Sequence, residues 1–254
     1  MLVLSWGAQA ADLAVVIDDV GYNKVRGLRA IDLPGPVTIA VLPFAPHTQT
    51  LIQRAAESGK DIIIHQPMEP TPSPHALKER GTLTLAMDTQ RFDDLVSAAL
   101  DAVPMGVGLS NHTGSLLTQH HRPMQQLMNV LNHRGLYFLD SRTSAQTVAL
   151  DVARQSGVPA VKRDVFLDHD PHPKAIHEAF ERALKIARKQ GYAVLIGHPY
   201  ATSLRYLENR LVSLPADINL VNAATLAKPR TSRGRPAMLA QPPRLASLRI
   251  SPGQ

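Results

Sequence analysis

Short runs of aliphatic residues, rich in β-branched valine and isoleucine, recur along this chain, and nearly every one stops on a polar side chain. Leu13, Ala14, Val15, Val16 and Ile17 stop on Asp18 and Asp19, and Ile62, Ile63 and Ile64 stop on His65. Residues 106–110 lead to Asn111 and His112, residues 136–139 to Asp140, Ser141 and Arg142, residues 159–161 to Lys162, Arg163 and Asp164, and residues 192–196 to Gly197 and His198. A second run covers 37–42, closed by Pro43, and a last one lies near 218–221. Runs that are apolar at successive rather than alternate positions are buried on both faces, which is what a parallel sheet covered by helices requires. Between them, 24–31, 48–58, 91–103, 123–133, 147–156, 174–189 and 203–211 read as helices, two of them stopped by Gly59 and Gly157. Seven to eight βα units predict an α/β fold, a single distorted (β/α) barrel; an open doubly wound sheet is the alternative, because local pattern fixes alternation but not strand order. The proline-rich stretch 67–74 reads as a long irregular loop.

Three segments follow. Residues 1–11 begin with an apolar stretch and carry Ala8-Gln9-Ala10-Ala11, the small-x-small form of a signal-peptidase site, so they read as the remnant of an export signal and the protein as periplasmic or secreted. Residues 12–228 hold the barrel. Residues 229–254 contain Arg230, Arg233, Arg235, Arg244 and Arg249, no acidic residue and no apolar periodicity, which describes a disordered basic tail rich in proline and arginine. The formal net charge is +6, but setting those five arginines aside leaves about +1, so no nucleic-acid partner is implied. No apolar stretch of about 18 residues is present, so no transmembrane segment is expected. The chain has no cysteine, which excludes disulfides and thiolate chemistry and leaves His, Asp and Glu as metal ligands.

A barrel gathers strand ends on one rim, where such folds place their chemistry. Asp18, Asp19, His65, Asn111, His112, Asp140, Arg142, Arg163, Asp164 and His198 would meet there. Adjacent aspartates repel, and a metal ion beside them would keep both ionised. Two carboxylates with several imidazoles make an oxygen and nitrogen site for a divalent ion, Zn²⁺ being the default.

At these residues the chain resembles the polysaccharide deacetylase superfamily, in its divergent branch. Val16-Ile17-Asp18-Asp19-Val20-Gly21 is similar to the family's Asp-Asp-Gly motif with one residue inserted before the glycine. His112-Thr113-Gly114-Ser115 falls where the second, histidine-bearing motif lies, and Ile196-Gly197-His198 resembles the late strand-end histidine. The segments His65-Gln66-Pro67-Met68-Glu69-Pro70 and Asn111-His112-Thr113-Gly114-Ser115 are the most distinctive of the branch. The resemblance implies a NodB-like distorted barrel, a divalent metal, a saccharide substrate and removal of its acetyl groups, with Asp18 as general base, Asp19 as metal ligand and His198 as general acid. One departure matters: family members carry a second metal histidine four residues after the first, and here that position is Leu116. His65 offers the missing nitrogen from a neighbouring strand, which gives Asp19, His65 and His112 as the expected ligands.

Asn111, Asp140, Arg142, Arg163 and Asp164 are expected to orient these groups or to meet substrate, with a structural pairing among them as the other reading. A carboxylate beside His198, Asp164 or Asp168, would raise its pKa and keep the acid form available. Two other functions fit the same rim. A glycosidase would need carboxylates about 5 to 9.5 Å apart across a sugar, for which Asp140 and Asp164 rather than adjacent Asp18 and Asp19 are suited. A catalytically weak or inactive envelope protein would bind saccharide or protein through the same cleft.

Overall fold

In the computed structural model, which describes residues 10–72 and 79–228, the apolar runs are parallel strands. In chain order they are β1 (Ala11–Val20), β2 (Thr38–Val41), β3 (Ile62–Met68), β4 (Gly108–Thr113), β5 (Tyr137–Asp140), β6 (Ala160–Lys162), β7 (Val165–Phe166), β8 (Tyr192–Gly197) and β9 (Ile218–Val221). The helices are α1 (Lys24–Ile31), α2 (Thr48–Glu57), α3 (Thr89–Ala102), α4 (His121–Arg134), α5 (Ala149–Gln155), α6 (Pro173–Gln190), α7 (Ala201–Arg210) and α8 (Ala223–Ala227). None of them is long and apolar enough to cross a membrane.

Pairing runs β6-β5-β4-β3-β2-β1-β8-β7, and β9 joins the first residues of β1. The sheet curls into the expected (β/α) barrel, and its distortion has a definite place. β6 and β7 stand at the two ends of the pairing order and share no ladder, although only Arg163 and Asp164 separate them in the chain. Arg163 spans this seam with a side chain instead. Its Nε donates to Ser141 O at 2.7 Å, its Nη2 donates to Arg142 O at 3.0 Å, and its guanidinium carbon lies 3.8 Å from the centre of the Phe166 ring.

Burial on both faces explains the uninterrupted apolar runs. Leu13, Val15, Ile17, Ile39, Val41, Ile62 and Ile64 pack outward against the helices, while Ala14, Val16, Ala40, Ile63, Leu139, Val161, Val194 and Ile196 fill the interior. Successive strand residues alternate between these two sets, as the period of two demands. Each large aliphatic side chain taken fully out of water contributes about 1.5–3 kcal/mol, so both faces of the sheet stabilise the fold. Ala223, Leu226 and Ala227 of α8, an element the sequence pattern did not reveal, join the interior cluster, and Ala223 N donates to Thr38 Oγ1 at 3.0 Å.

Two expectations need adjustment, and two more fall largely or wholly outside the described residues. Pro67 does not open a loop: β3 continues through it to Met68, paired with His112 and Thr113 of β4. The reason is that Pro67 O accepts from Leu83 N at 2.9 Å on the edge β2 has left, so the missing N–H falls away from the β3–β4 ladder. β4 begins at Gly108 and carries Asn111 and His112 inside the strand rather than after it. The expected signal remnant lies mostly outside the described residues, with Ala11 already in β1, and the expected tail 229–254 lies wholly outside them.

Candidate metal and catalytic site

In β1, Ala14 and Val16 face the interior, so Asp18 follows them and Asp19 would point outward in a regular strand. The strand is not regular there. Its register against β2 slips between Ile17 and Val20, and Asp19 takes a left-handed conformation with φ 57°. A bulge of this kind re-aims side chains, and it brings both carboxylates to one place. Asp18 Oδ2 lies 3.5 Å from His65 Nε2; Asp19 Oδ1 lies 3.2 Å from the same nitrogen and 2.8 Å from His112 Nδ1. The inserted Val20 pairs with Val41 and delays the turn to Gly21, at φ +147°, where a Cβ would sit 2.6 Å from Ala45 Cβ. Only glycine fits there.

His65 and His112 project from interior positions of the adjacent strands β3 and β4, with ring centres 5.0 Å apart. Ser110 Oγ, 2.7 Å from His65 Nδ1, fixes the ring so that Nε2 faces the aspartates. Asp19, His65 and His112 each offer one ligand atom, all within 4.8 Å of one another. Leu116 lies outside this cluster in the turn after β4, its N donating to Glu69 O at 3.1 Å.

The two aspartates are driven apart electrostatically. Burial pushes the Asp18 carboxyl up, against the lowering influence of His65 and His198. Burial would raise Asp19 too, but its bonds to His112 and His65 hold it far below the usual carboxylate range. His112 is lowered by burial but raised overall by Asp19. Asp18 is 2% exposed and its Oδ1 has no hydrogen-bond partner, an orphaned acceptor at the centre of the cluster.

His198, after β8, completes the arrangement. Its Nε2 lies 3.8 Å from Asp19 Oδ2, and its Nδ1 lies 2.8 Å from Asp168 Oδ1. Asp168 is buried; its Oδ2 accepts from His198 N at 2.7 Å and from Ser203 Oγ at 2.6 Å. Burial lowers the His198 imidazole, but Asp168 more than offsets this and the pKa rises to about 9. The ring lies nearly parallel to those of Phe166 and Tyr200, with centre separations of 6.0 Å and 5.4 Å.

Of the two carboxylates considered as its partner, Asp168 is the one used. Asp164 is not at the site: its carboxylate accepts from Val194 N at 2.9 Å and from Gln190 Nε2 at 3.2 Å, tying the seam to β8. Asp140 orients no histidine; it sits at an outward position of β5 and accepts from Arg142 N at 2.8 Å and Thr147 Oγ1 at 3.2 Å. Asn111 joins the ends of β4 and β5, accepting from Ser141 N at 2.9 Å and donating to Thr113 O at 2.8 Å. The guanidinium groups of Arg142, at φ 49°, and Arg163 donate to backbone carbonyls, and Arg142 meets Asp140 only through its backbone N. These four shape the rim. Ser110, Phe166, Ser203 and Tyr200, which fix the two histidines, were not among the residues expected from the sequence.

The chain is 37% identical over 243 residues to the uncharacterised protein YibQ of Escherichia coli strain K12, covering 95% of this chain and 76% of that one. In structure it is similar to an uncharacterised protein of Agrobacterium tumefaciens C58, with a TM-score of 0.82 at 24% identity over 87% of this chain and 90% of that one. The catalytic domain of the peptidoglycan N-acetylglucosamine deacetylase of Eubacterium rectale ATCC 33656 shares the fold more distantly, with a TM-score of 0.55 at 16% identity over 88% and 92% of the two chains. Residues 15–227, the whole barrel with its Asp18-Asp19 bulge and its histidines, match the divergent polysaccharide deacetylase family, and the chain belongs to it.

Proposed function

We propose that this protein is a divalent-metal-dependent hydrolase that removes N- or O-linked acetyl groups from an envelope polysaccharide or a related saccharide, and that it works in the periplasm or outside the cell. The observation that carries the reading is the convergence of a metal-ligand set, an orphaned buried carboxylate and a cationic imidazole in one cluster. Asp19, His65 and His112 would hold the ion, and one carboxylate with two neutral imidazoles suits Zn²⁺ with a position left open. The ion would supply Lewis-acid polarisation of the acetyl carbonyl and make water more acidic. Asp18, with a free Oδ1 and a raised pKa, is placed to accept the proton of the attacking water. His198 is suited to the opposite task. Its Nδ1 is committed to Asp168, so Nε2 faces the cluster, and a pKa of about 9 keeps the ring protonated at neutral pH and ready to donate to the leaving amine or alkoxide. The fold shared with the N-acetylglucosamine deacetylase of Eubacterium rectale favours an acetylated amino sugar.

The test is acetate release from N- and O-acetylated glycans by protein treated with chelator and then resupplied with Zn²⁺ or another divalent ion. Release that disappears on chelation and returns with the ion is expected. Absence of release with every divalent ion, alongside retained glycan binding, would replace the hydrolase with a binding protein on the same fold.

A further inference from the structure

The end of the barrel away from the metal cluster is unevenly charged. The strands are parallel and each helix runs back against them, so the last turns of the helices gather at the end where the strands begin. Around much of that end the cations are neutralised: Arg29 lies 2.9 Å from Glu208, Arg54 lies 3.0 Å from Asp32, and Arg188 lies 2.7 Å from Asp217. Beside β6 the balance changes. A cavity of about 380 Å³ opens along that strand, between the end of α5, Tyr192 at the start of β8 and the end of α8. Arg154, Lys162 and Lys228 line it, and among the described residues no carboxylate does; Val158, Val161 and Leu226 give it a buried apolar floor. Asp61, hydrogen-bonded to Asn222, is the acid whose charge reaches Lys228. Arg134, exposed in the last turn of α4, which packs on α5, and Lys189, exposed three residues before Tyr192, add to the positive field.

The sequence continues the same charge from the same place. Lys228 is followed by residues 229–254, in which Arg230, Arg233, Arg235, Arg244 and Arg249 stand with no acidic residue, and Leu239, Leu245 and Ile250 stand among them. A partner for this end must therefore be anionic, and it must also offer something to apolar side chains. A layer of phosphates over an apolar layer meets both demands: the guanidinium and ammonium groups face the phosphates, and the apolar floor and aliphatic side chains face the glycerol and upper acyl region. A nucleic acid would supply phosphates alone to this surface.

We propose that the strand-start end of the barrel, through Arg154, Lys162, Lys228 and the arginines of 229–254, docks on an anionic phospholipid bilayer. The attachment is peripheral, since no described helix is long and apolar enough to cross a membrane. Docked this way, the metal cluster at the opposite strand ends faces away from the bilayer. The docking does not depend on the hydrolase reading; it adds an orientation to it.

The experiment mixes the full chain with vesicles of phosphatidylcholine, or of an equal mixture of phosphatidylcholine and phosphatidylglycerol, and reads the bound fraction by sedimentation. Wild type should bind the mixed vesicles in about 0.1 M salt, leave the neutral ones free, and come off at about 1 M, where the Debye length falls from about 10 Å to about 3 Å. At about fivefold per cation beside a charged surface, Arg154→Gln with Lys162→Gln should weaken binding about tenfold or more, and replacing the five arginines of 229–254 with glutamine about a hundredfold or more. Lys24→Gln with Arg26→Gln removes the same charge from the first turn of α1, at the cluster end, and should leave binding nearly unchanged. A melting curve checks that each variant is folded. Equal binding to neutral and mixed vesicles, binding that persists in about 1 M salt, or equal losses in the two double variants overturns the proposal. Tighter binding to a DNA duplex than to mixed vesicles at the same salt overturns it in favour of a nucleic acid. Binding is read without hydrolysis, so its failure leaves the deacetylase reading standing.

Discussion

Replacing Asp168 with asparagine changes one charge and almost no volume, at a carboxylate that is 3% exposed and fully engaged by His198 Nδ1, His198 N and Ser203 Oγ. Burial alone would put the His198 imidazole below its ordinary 6.5, and Asp168, with smaller help from Asp19 and Asp18, carries it to about 9. At about 1.4 kcal/mol per pKa unit, the rise is worth on the order of 3 kcal/mol to the folded state. Because the folded pKa lies above the unfolded one, this stabilisation is complete below about pH 6.5 and fades as pH climbs through about 9. In chelated protein, where no ion competes for Asp19, the gap in unfolding free energy between wild type and Asp168→Asn should be largest near pH 6 and shrink by on the order of 3 kcal/mol towards pH 10. Urea unfolding across that range reads it, and an NMR titration of His198 reads the cause. In the variant the imidazole should titrate well below the wild-type value of about 9, moving any activity optimum to lower pH. A gap that does not change with pH, or a variant whose His198 still titrates near 9, would refute the reasoning.

Asp18→Asn should lose about 10²- to 10⁴-fold in acetate release, the usual range for one acid or base. Burial raises the folded pKa of Asp18 above 3.8, so its ionisation opposes folding as pH rises, and the chelated variant should melt no lower than wild type at neutral pH; a fall of several degrees would contradict this. Gly21→Ala meets both a positive φ and Ala45 Cβ at 2.6 Å, and should cost about 1–3 kcal/mol in urea unfolding and weaken ion binding; unchanged stability would show that the bulge does not need this turn. Arg163→Ala removes the side chain that spans the β6–β7 seam, and should lower stability by about 2 kcal/mol. Arg163→Lys should restore little, since an ammonium cannot reproduce the forked contact; full rescue by lysine would mean that charge alone matters there.

The barrel was legible because its strands are buried on both faces. Runs such as Ile62, Ile63 and Ile64 have no other soluble use at that length, and the expected helix over residues 24–31 coincides with α1. The residues that converge in the cluster were legible from strand ends, and parity sharpens the reason: Asp18, His65, His112, Asp168 and His198 all continue the interior alternation of their strands, while Asp140 and Asn111 continue the outward one. That rule separates site residues from rim residues once strand phases are known. Asp19 breaks it. Its inward turn comes from a slip in register against β2, which depends on a partner more than twenty residues away and leaves no local mark beyond the inserted Val20. β7 is two residues long, too short for any periodicity, and so the seam and Phe166 had no signal of their own, while Asp168, named beside Asp164 as a partner for His198, could not be chosen over it from the sequence. The extension of β3 past Pro67 was hidden for a related reason: whether a proline is tolerated depends on which edge its missing N–H faces.

Elemental analysis of purified protein, after equilibration with limiting Zn²⁺ and removal of free ion, tests the central claim most directly. Wild type should retain about one ion per chain, held by Asp19, His65 and His112. The double replacement His65→Ala with His112→Ala should retain none while remaining folded by its melting curve, and His198→Ala should retain the ion. An ion content unchanged by the double replacement would contradict the assignment of this cluster as the metal site, and with it the proposed chemistry.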